Sequence, residues 1–235
     1  KKGMKKVLIL VVSADMPPFD KMIQTSLSTW DNVEVKGVET LFYCGKSRKE
    51  NTKKVIYLPV NESYSTMGEK LLQALEYSLN NFEFDYIARV NSSCYVDKKR
   101  VIEYVQTLPN ENIFEGLIAP YQNRTFVWGG GQYIISKDVI SKMVANRNKY
   151  NHSVMEDVGI SDLATNLDIP FRGGRACSID KMDNGWRCMV YGNESFEFTN
   201  FEDIKTKSTE YFYRVKQDYD RNIDKEIMET LHKIL

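Results

Sequence analysis

Three short stretches of this chain carry side chains whose type and spacing suit chemistry. In Ser153-Val-Met-Glu-Asp-Val-Gly-Ile-Ser-Asp162, two adjacent acids open a stretch of helical character. A carboxylate at a helix start is favoured by the helix dipole and can take a proton from a bound hydroxyl. The same residues spell a capping box, with Ser153 as N-cap and Glu156 three residues on, which leaves Asp157 without a structural task. In Tyr211-Phe-Tyr-Arg-Val-Lys-Gln-Asp-Tyr-Asp-Arg221, Arg214 and Lys216 share one strand face, with Arg221 beyond. Neighbouring cations suit a phosphate or diphosphate, and they equally suit a solvated strand edge. Trp128-Gly-Gly-Gly131 lets a backbone turn sharply or approach a ligand closely. It is not a dinucleotide fingerprint, which needs G-x-G-x-x-G between a strand and a helix.

The elements that must position these groups alternate. Lys6–Val12 is a continuous apolar strand, and residues 19–30 have helical spacing through Met22, Ile23, Leu27 and Trp30. Residues 34–45 and 53–60 read as strands. Residues 65–82 give the clearest helix, followed by a strand at 85–90 and a helix at 97–108 capped by Asp97. Strands are expected at 115–121 and 130–136, helices at 137–147 and 153–168, then a strand at 209–215 and a helix at 224–235. This order is an α/β unit with a mostly parallel sheet. The strand at 85–90 runs into Asn91-Ser92-Ser93, and strand ends in such proteins are where ligands sit.

The totals narrow the function. Lys plus Arg and Asp plus Glu are both 32, so no net charge points to nucleic acid or to an anionic surface. No apolar run approaches the roughly 18 residues of a membrane span. The lysines before Val7 mimic a signal peptide, but the run they precede is strand-sized, and residues 1–3 read as a leftover before Met4. Cys44, Cys94, Cys177 and Cys188 show no C-x-x-C spacing and read as packed thiols, with a Cys177–Cys188 disulfide as the exception. His152 and His232 are too few for a multi-histidine zinc site.

Taken in order, the segments from about residue 6 to about residue 170 resemble the Fringe and β-1,3-galactosyltransferase group of nucleotide-sugar glycosyltransferases. Ser28-Thr-Trp30 is similar to the R-E-T-W that ends the group's first helix. Asn61 to Lys70 is similar to D-S-Y-x-N-L-T-x-K, with Tyr64 and Lys70 in place. Tyr86 to Asp97 is similar to a strand ending in Asp-Asp-Asp and then x-Tyr/Phe-Val-Asn. Phe126 to Lys137 resembles F-A-T-G-G-A-G-F-x-L-S-R, and Met155 to Ser161 resembles the group's Glu/Asp-Asp-Val element.

The resemblance implies a single GT-A domain over 4–235, Rossmann-like, with a nucleotide-sugar half at about 4–110 and an acceptor and catalytic half at about 111–235. It implies an inverting transfer of a hexose, from a UDP-sugar as first expectation, with Asp157 as general base. Ala14, Asp15, Lys70, Arg89, Asn91, Ser92, Ser93, Arg214, Lys216 and Arg221 are expected on the donor. Trp128, Gly129, Gly130, Gly131 and Glu156 are expected on the acceptor, an oligosaccharide or lipid-linked glycan. The expected setting is cytoplasmic, at the inner face of a membrane, without an integral segment.

Where the family keeps its metal-binding acidic triplet, this chain has Asn91, Ser92 and Ser93. Neutral side chains bind a hard divalent cation poorly. Three accounts follow. Arg89, Arg214, Lys216 and Arg221 neutralise the leaving diphosphate without metal, which is the expectation. Alternatively Mn²⁺ or Mg²⁺ binds weakly through Ser93 and a water. Or the protein binds nucleotide sugars or glycans without turnover.

Overall fold

A computed structural model describes residues 3–217 and 221–235. Lys1 and Lys2 of the expected leftover, and Asp218 to Asp220 of the basic tail, lie outside the described residues. The apolar run after Lys6 becomes β1 (Val7–Val12), which pairs in parallel on both sides. Its alternate side chains feed two cores. Val7, Ile9 and Val11 pack with Met22, Ile23 and Trp30, while Leu8 and Leu10 pack with Leu71, Leu72 and Leu75. A strand covered on both faces has no polar side, which is why this one reads as an unbroken apolar run. Each such side chain contributes about 1.5–3 kcal/mol by leaving water.

From β1 the chain crosses through α1 (Phe19–Ser28) to β2 (Val38–Cys44), adds β3 (Val55–Tyr57), and returns through α2 (Met67–Asn81) to β4 (Tyr86–Asn91). Trp30 leaves the expected helix and sits buried in a 3-10 turn. After Asn91 the chain changes sheet: Ser92 and Ser93 carry it to β5 (Cys94–Val96). Asp97 then caps α3 (Lys98–Thr107), accepting the Arg100 backbone N–H at 3.1 Å. β6 (Phe114–Gly116) rejoins the first sheet, β7 (Ile118–Tyr121) and β8 (Arg124–Val127) form a hairpin, and β9 (Tyr133–Ser136) slots between β6 and β4. α4 (Lys137–Ala145), α5 (Glu156–Asn166) and the short β10 (Arg172–Gly173) follow.

The first sheet, among the described residues, has the order β10-β6-β9-β4-β1-β2-β3 and is parallel except where β9 pairs. A second sheet was not foreseen from the sequence. β11 (Ala176–Met182), β12 (Gly185–Tyr191), β13 (Phe196–Phe198) and, after α6 (Glu202–Lys207), β14 (Phe212–Arg214) join β5 in the order β13-β12-β11-β14-β5. Lys181 breaks the apolar face that Cys177 and Ile179 begin, and Met189 and Tyr191 fill the alternate face of β12, which hides the strands. α7 (Arg221–Ile234) closes over α1 and β5.

The four cysteines are buried and free, with the Cys177 and Cys188 sulfurs 3.3 Å apart. Among the described residues no helix is long and apolar enough to cross a membrane.

Candidate active site

The C-terminal ends of β1 and β4 lie side by side, with Val12 opposite Asn91. Because the chain changes sheet just beyond, the two sheets part there and a cavity of about 530 Å³ opens. β14 forms its far wall: Arg214 pairs with Cys94, and the Val215 N–H donates to the Ser93 carbonyl at 2.9 Å. Ala14, Lys70, Arg89, Asn91, Ser92 and Ser93 line one side. Trp128, Gly129, Gly130, Glu156, Asp157, Arg214, Lys216 and Arg221 line it too. The fold thus gathers every expected site residue except Asp15 and Gly131.

The three glycines form a 3-10 turn ahead of β9 rather than the first residues of a strand. Each is small for a packing reason. A Cβ on Gly129 would lie 3.1 Å from the Asp157 Cβ and 3.3 Å from Arg89 Nη1. One on Gly130 would strike the Trp128 ring at 2.4 Å, and one on Gly131 would meet Ala176 at 2.8 Å. Gly131 therefore packs towards the second sheet and away from the cavity. Gln132 follows with φ +67°, a conformation few non-glycine residues adopt. Its buried side chain receives the Asn91 N–H at 2.7 Å and donates to the Gly130 carbonyl at 3.0 Å, tying the glycine turn to the end of β4.

α5 starts at Glu156, later than expected, and the capping box does not form. The Ser153 hydroxyl donates instead to Asn151 Oδ1 at 2.6 Å, and Met155 is the N-cap with no side-chain bond. The two acids then diverge. Asp157 is half-buried at the cavity wall and accepts the Gly129 N–H at 3.0 Å. Glu156 turns inward and pairs with Arg89 at 2.8 Å, accepting the Tyr133 hydroxyl at 2.8 Å. Burial pushes the Glu156 carboxyl above its usual range, against the pull of Arg89.

Arg89 does not fit the part of a free cation expected of it. It is 2% exposed, and beyond Glu156 it donates to Asn91 Oδ1 at 3.0 Å and to the Gly129 carbonyl at 3.2 Å. Asn91 also donates to that carbonyl, at 3.3 Å. Glu156 and Arg89 thus brace the floor of the site, and Glu156 is no free acceptor ligand. Lys70 is similarly committed, to Glu62 and to the Ser13 carbonyl at 2.8 Å each. Arg221 pairs with Asp224 at 2.9 Å. Among the described residues, the lining groups without an ion-pair partner are Asp157, Arg214 and Lys216. The Arg214 guanidinium lies 5.3 Å from the Trp128 ring centre, and Trp128 meets Tyr191 edge-on.

Asp15 is turned away, accepting Ser47 and Lys49 at 2.6 Å each, bonds that hold its carboxyl below the usual range. Several lining or supporting residues carried no sequence signal. Glu62, Met16, Met67 and Met155 reach the cavity from loops and helix starts, and Asp224 supports it from α7, far along the chain. Tyr64 was visible only through the resemblance; it stands 79% exposed at the mouth.

A divalent cation at Asn91–Ser93 does not fit the residues present. Asn91 Oδ1 already accepts from Arg89, and Ser93 Oγ accepts from Arg221 at 2.7 Å while donating to Asp224 at 3.1 Å. Two guanidinium groups hold the oxygens that a metal would take. Among the described residues, no three His, Cys, Asp or Glu side chains converge as a metal-binding group.

The fold is a mixed α/β one, a mostly parallel central sheet flanked by helices with a cavity at its strand ends. The crystal structure of a glycosyltransferase involved in the glycosylation of the major capsid of PBCV-1 is similar over 94% of this chain and 99% of that one, with a TM-score of 0.50 and 13% sequence identity. At that identity the likeness is one of fold. No family model and no curated protein sequence matches the chain.

Proposed function

We propose that this protein is an inverting glycosyltransferase, moving a hexose from a nucleotide-sugar donor, a UDP-sugar in the first instance, to a glycan hydroxyl. One observation carries the proposal. In a single cavity at the ends of β1 and β4, the groups left without an ion-pair partner among the described residues are one carboxylate, Asp157, and two cations, Arg214 and Lys216. That is the charge pattern of a proton acceptor facing a site for a diphosphate. The neighbouring fold is that of a glycosyltransferase, which supports the same reaction class.

In this reaction the acceptor oxygen forms a bond to the anomeric carbon while its proton passes to Asp157. The bond from that carbon to the diphosphate breaks, and its electron pair leaves with the nucleotide. Arg214 and Lys216 stabilise the charge that develops on the leaving oxygen. The Gly129 N–H orients Asp157, and Trp128 steadies Arg214 at the cavity wall.

The test is Asp157→Asn. Transfer should fall at least about a hundredfold, the scale of a lost general base, while donor affinity by titration is kept. Product anomers read by NMR should be inverted. A fully active variant, or retained configuration, refutes the proposal. Equal inertness of both proteins over UDP-, GDP-, CMP- and dTDP-sugars would leave a binding module in its place.

A further inference from the structure

We infer that Asp224 is a positioning residue that fixes Arg221 at the end of β4 as a built-in cation for the donor diphosphate. This rests on the nucleotide-sugar reading above. Asp224 sits in the first turn of α7 and is fully buried. One carboxylate oxygen accepts Arg221 Nη1 at 2.9 Å and Ser93 Oγ at 3.1 Å; the other accepts the Gln217 backbone N–H at 2.6 Å. The same Nη1 donates to Ser93 Oγ at 2.7 Å, and the guanidinium carbon lies 5.9 Å from the Phe19 ring centre. Three elements therefore hold one arginine: the β4–β5 turn, α7 and α1.

The pair is asymmetric. The Arg221 side chain is 28% exposed and lines the cavity, while Asp224 is 0% exposed behind it. The anion orders the cation, and the cation faces the ligand space. An arginine already fixed loses little freedom on meeting a phosphate, and a fixed charge needs no reorganisation during reaction. The arrangement also accounts for Ser93. An acid there would set a second carboxylate against Asp224, and like charges so close disfavour ionisation of both. A neutral Ser93 and a buried Asp224 thus belong together, as an acidic triplet belongs with a metal.

The test is calorimetric titration of UDP, GDP, CDP and dTDP, each in EDTA and in Mn²⁺. The tightest binder of the wild type should bind equally, within about twofold, in both. Arg221→Ala should weaken it by about tenfold or more, the worth of a charge-assisted hydrogen bond, and millimolar guanidinium should restore part of the loss. Asp224→Asn should weaken it too, without rescue by guanidinium, because the arginine still fills its place. Circular dichroism and melting establish that the variants are folded; if Asp224→Asn is not, Arg221→Ala with rescue decides alone. Binding that requires Mn²⁺, or a folded Arg221→Ala that binds as wild type does, overturns the inference and leaves the transferase reading standing. Failure of the wild type to bind any of the four overturns both.

Discussion

The backbone N–H of Gly129 donates to the Asp157 carboxylate at 3.0 Å, joining a glycine turn before β9 to the first turn of α5. The glycine is small for the same reason that the acid is well placed: its missing Cβ would stand 3.1 Å from the Asp157 Cβ and 3.4 Å from its Oδ2. Gly129→Ala should therefore push the carboxylate off its line. The expected outcome is a fall in kcat of about threefold to tenfold with donor affinity within about twofold, since a shift of a few tenths of an ångström costs part of the roughly hundredfold that a 1 Å misplacement can. Steady-state kinetics beside donor titration read the split. Equal losses in both would mean that the turn serves the donor.

Trp128 and Arg214 lie face to cation at 5.3 Å, with the indole resting on Gly130. If Trp128 only stacked on an acceptor sugar, its loss would leave the donor untouched. Because it also steadies a cation without an ion-pair partner among the described residues, Trp128→Leu should weaken nucleotide binding by about threefold to tenfold, the range of a partly exposed cation–π contact. Titration of UDP into the variant, compared with Arg214→Ala, checks this. The double variant should lose little more than Arg214→Ala alone.

Asp31, in the 3-10 turn after α1, anchors the start of α3. It is buried and receives Lys98 at 2.7 Å and Lys54 at 2.8 Å. Burial pushes its carboxyl up, but the bonds from Lys54 and Lys98 outweigh this and hold it below the ordinary aspartate range. A carboxyl lowered on folding stabilises the protein above its unfolded pKa, and that stability is lost as pH falls through the folded value. Asp31→Asn should cost roughly 3–5 kcal/mol at pH 7 by stranding the buried Lys98. The gap from wild type should close as pH drops below the usual aspartate value. Urea melts from neutral to acid pH measure it, and a constant gap would show that the pair's charge does not matter.

What the sequence made legible follows from burial. β1 and β4 are covered on both faces, so Val7–Val12 stands out as an apolar run and Tyr86–Val90 as one broken only by Arg89, and the strand end at Asn91–Ser93 is legible in the sequence. Helices α2 and α3 were equally plain from their periodic apolar faces. The second sheet was not, because Lys181 falls on the inward face with Cys177 and Ile179 while Met189 and Tyr191 fill the outward face of β12, so neither strand shows a clean period of two. Charge pairing was hidden altogether. Arg89 and Arg221 read as free cations until Glu156 and Asp224 are seen beside them, 67 and 3 residues along the chain. Arg214 and Lys216, expected together on one face, do share the cavity wall. The Ser153 capping box failed because Asn151 offered its hydroxyl a nearer partner.

Tyr150 fixes where α5 begins, and with it Asp157. Its hydroxyl donates to the Glu156 carbonyl at 3.1 Å, and its ring fills the space between α2 and α5. Both helices meet it with a glycine: a Cβ on Gly68 or Gly159 would come within 2.4 Å of the phenol. Two changes separate the bond from the wedge. Tyr150→Phe keeps the ring and removes one buried hydrogen bond, so stability should fall by about 1 kcal/mol. Gly159→Ala keeps the bond's partners but overpacks the wedge, and should cost about 1–3 kcal/mol. Chemical denaturation ranks them. Both should lower kcat more than they weaken nucleotide binding, because the donor cations stand on β14 and α7, away from this wedge. If nucleotide affinity fell in step with kcat, α5 would be holding the donor as well as the base.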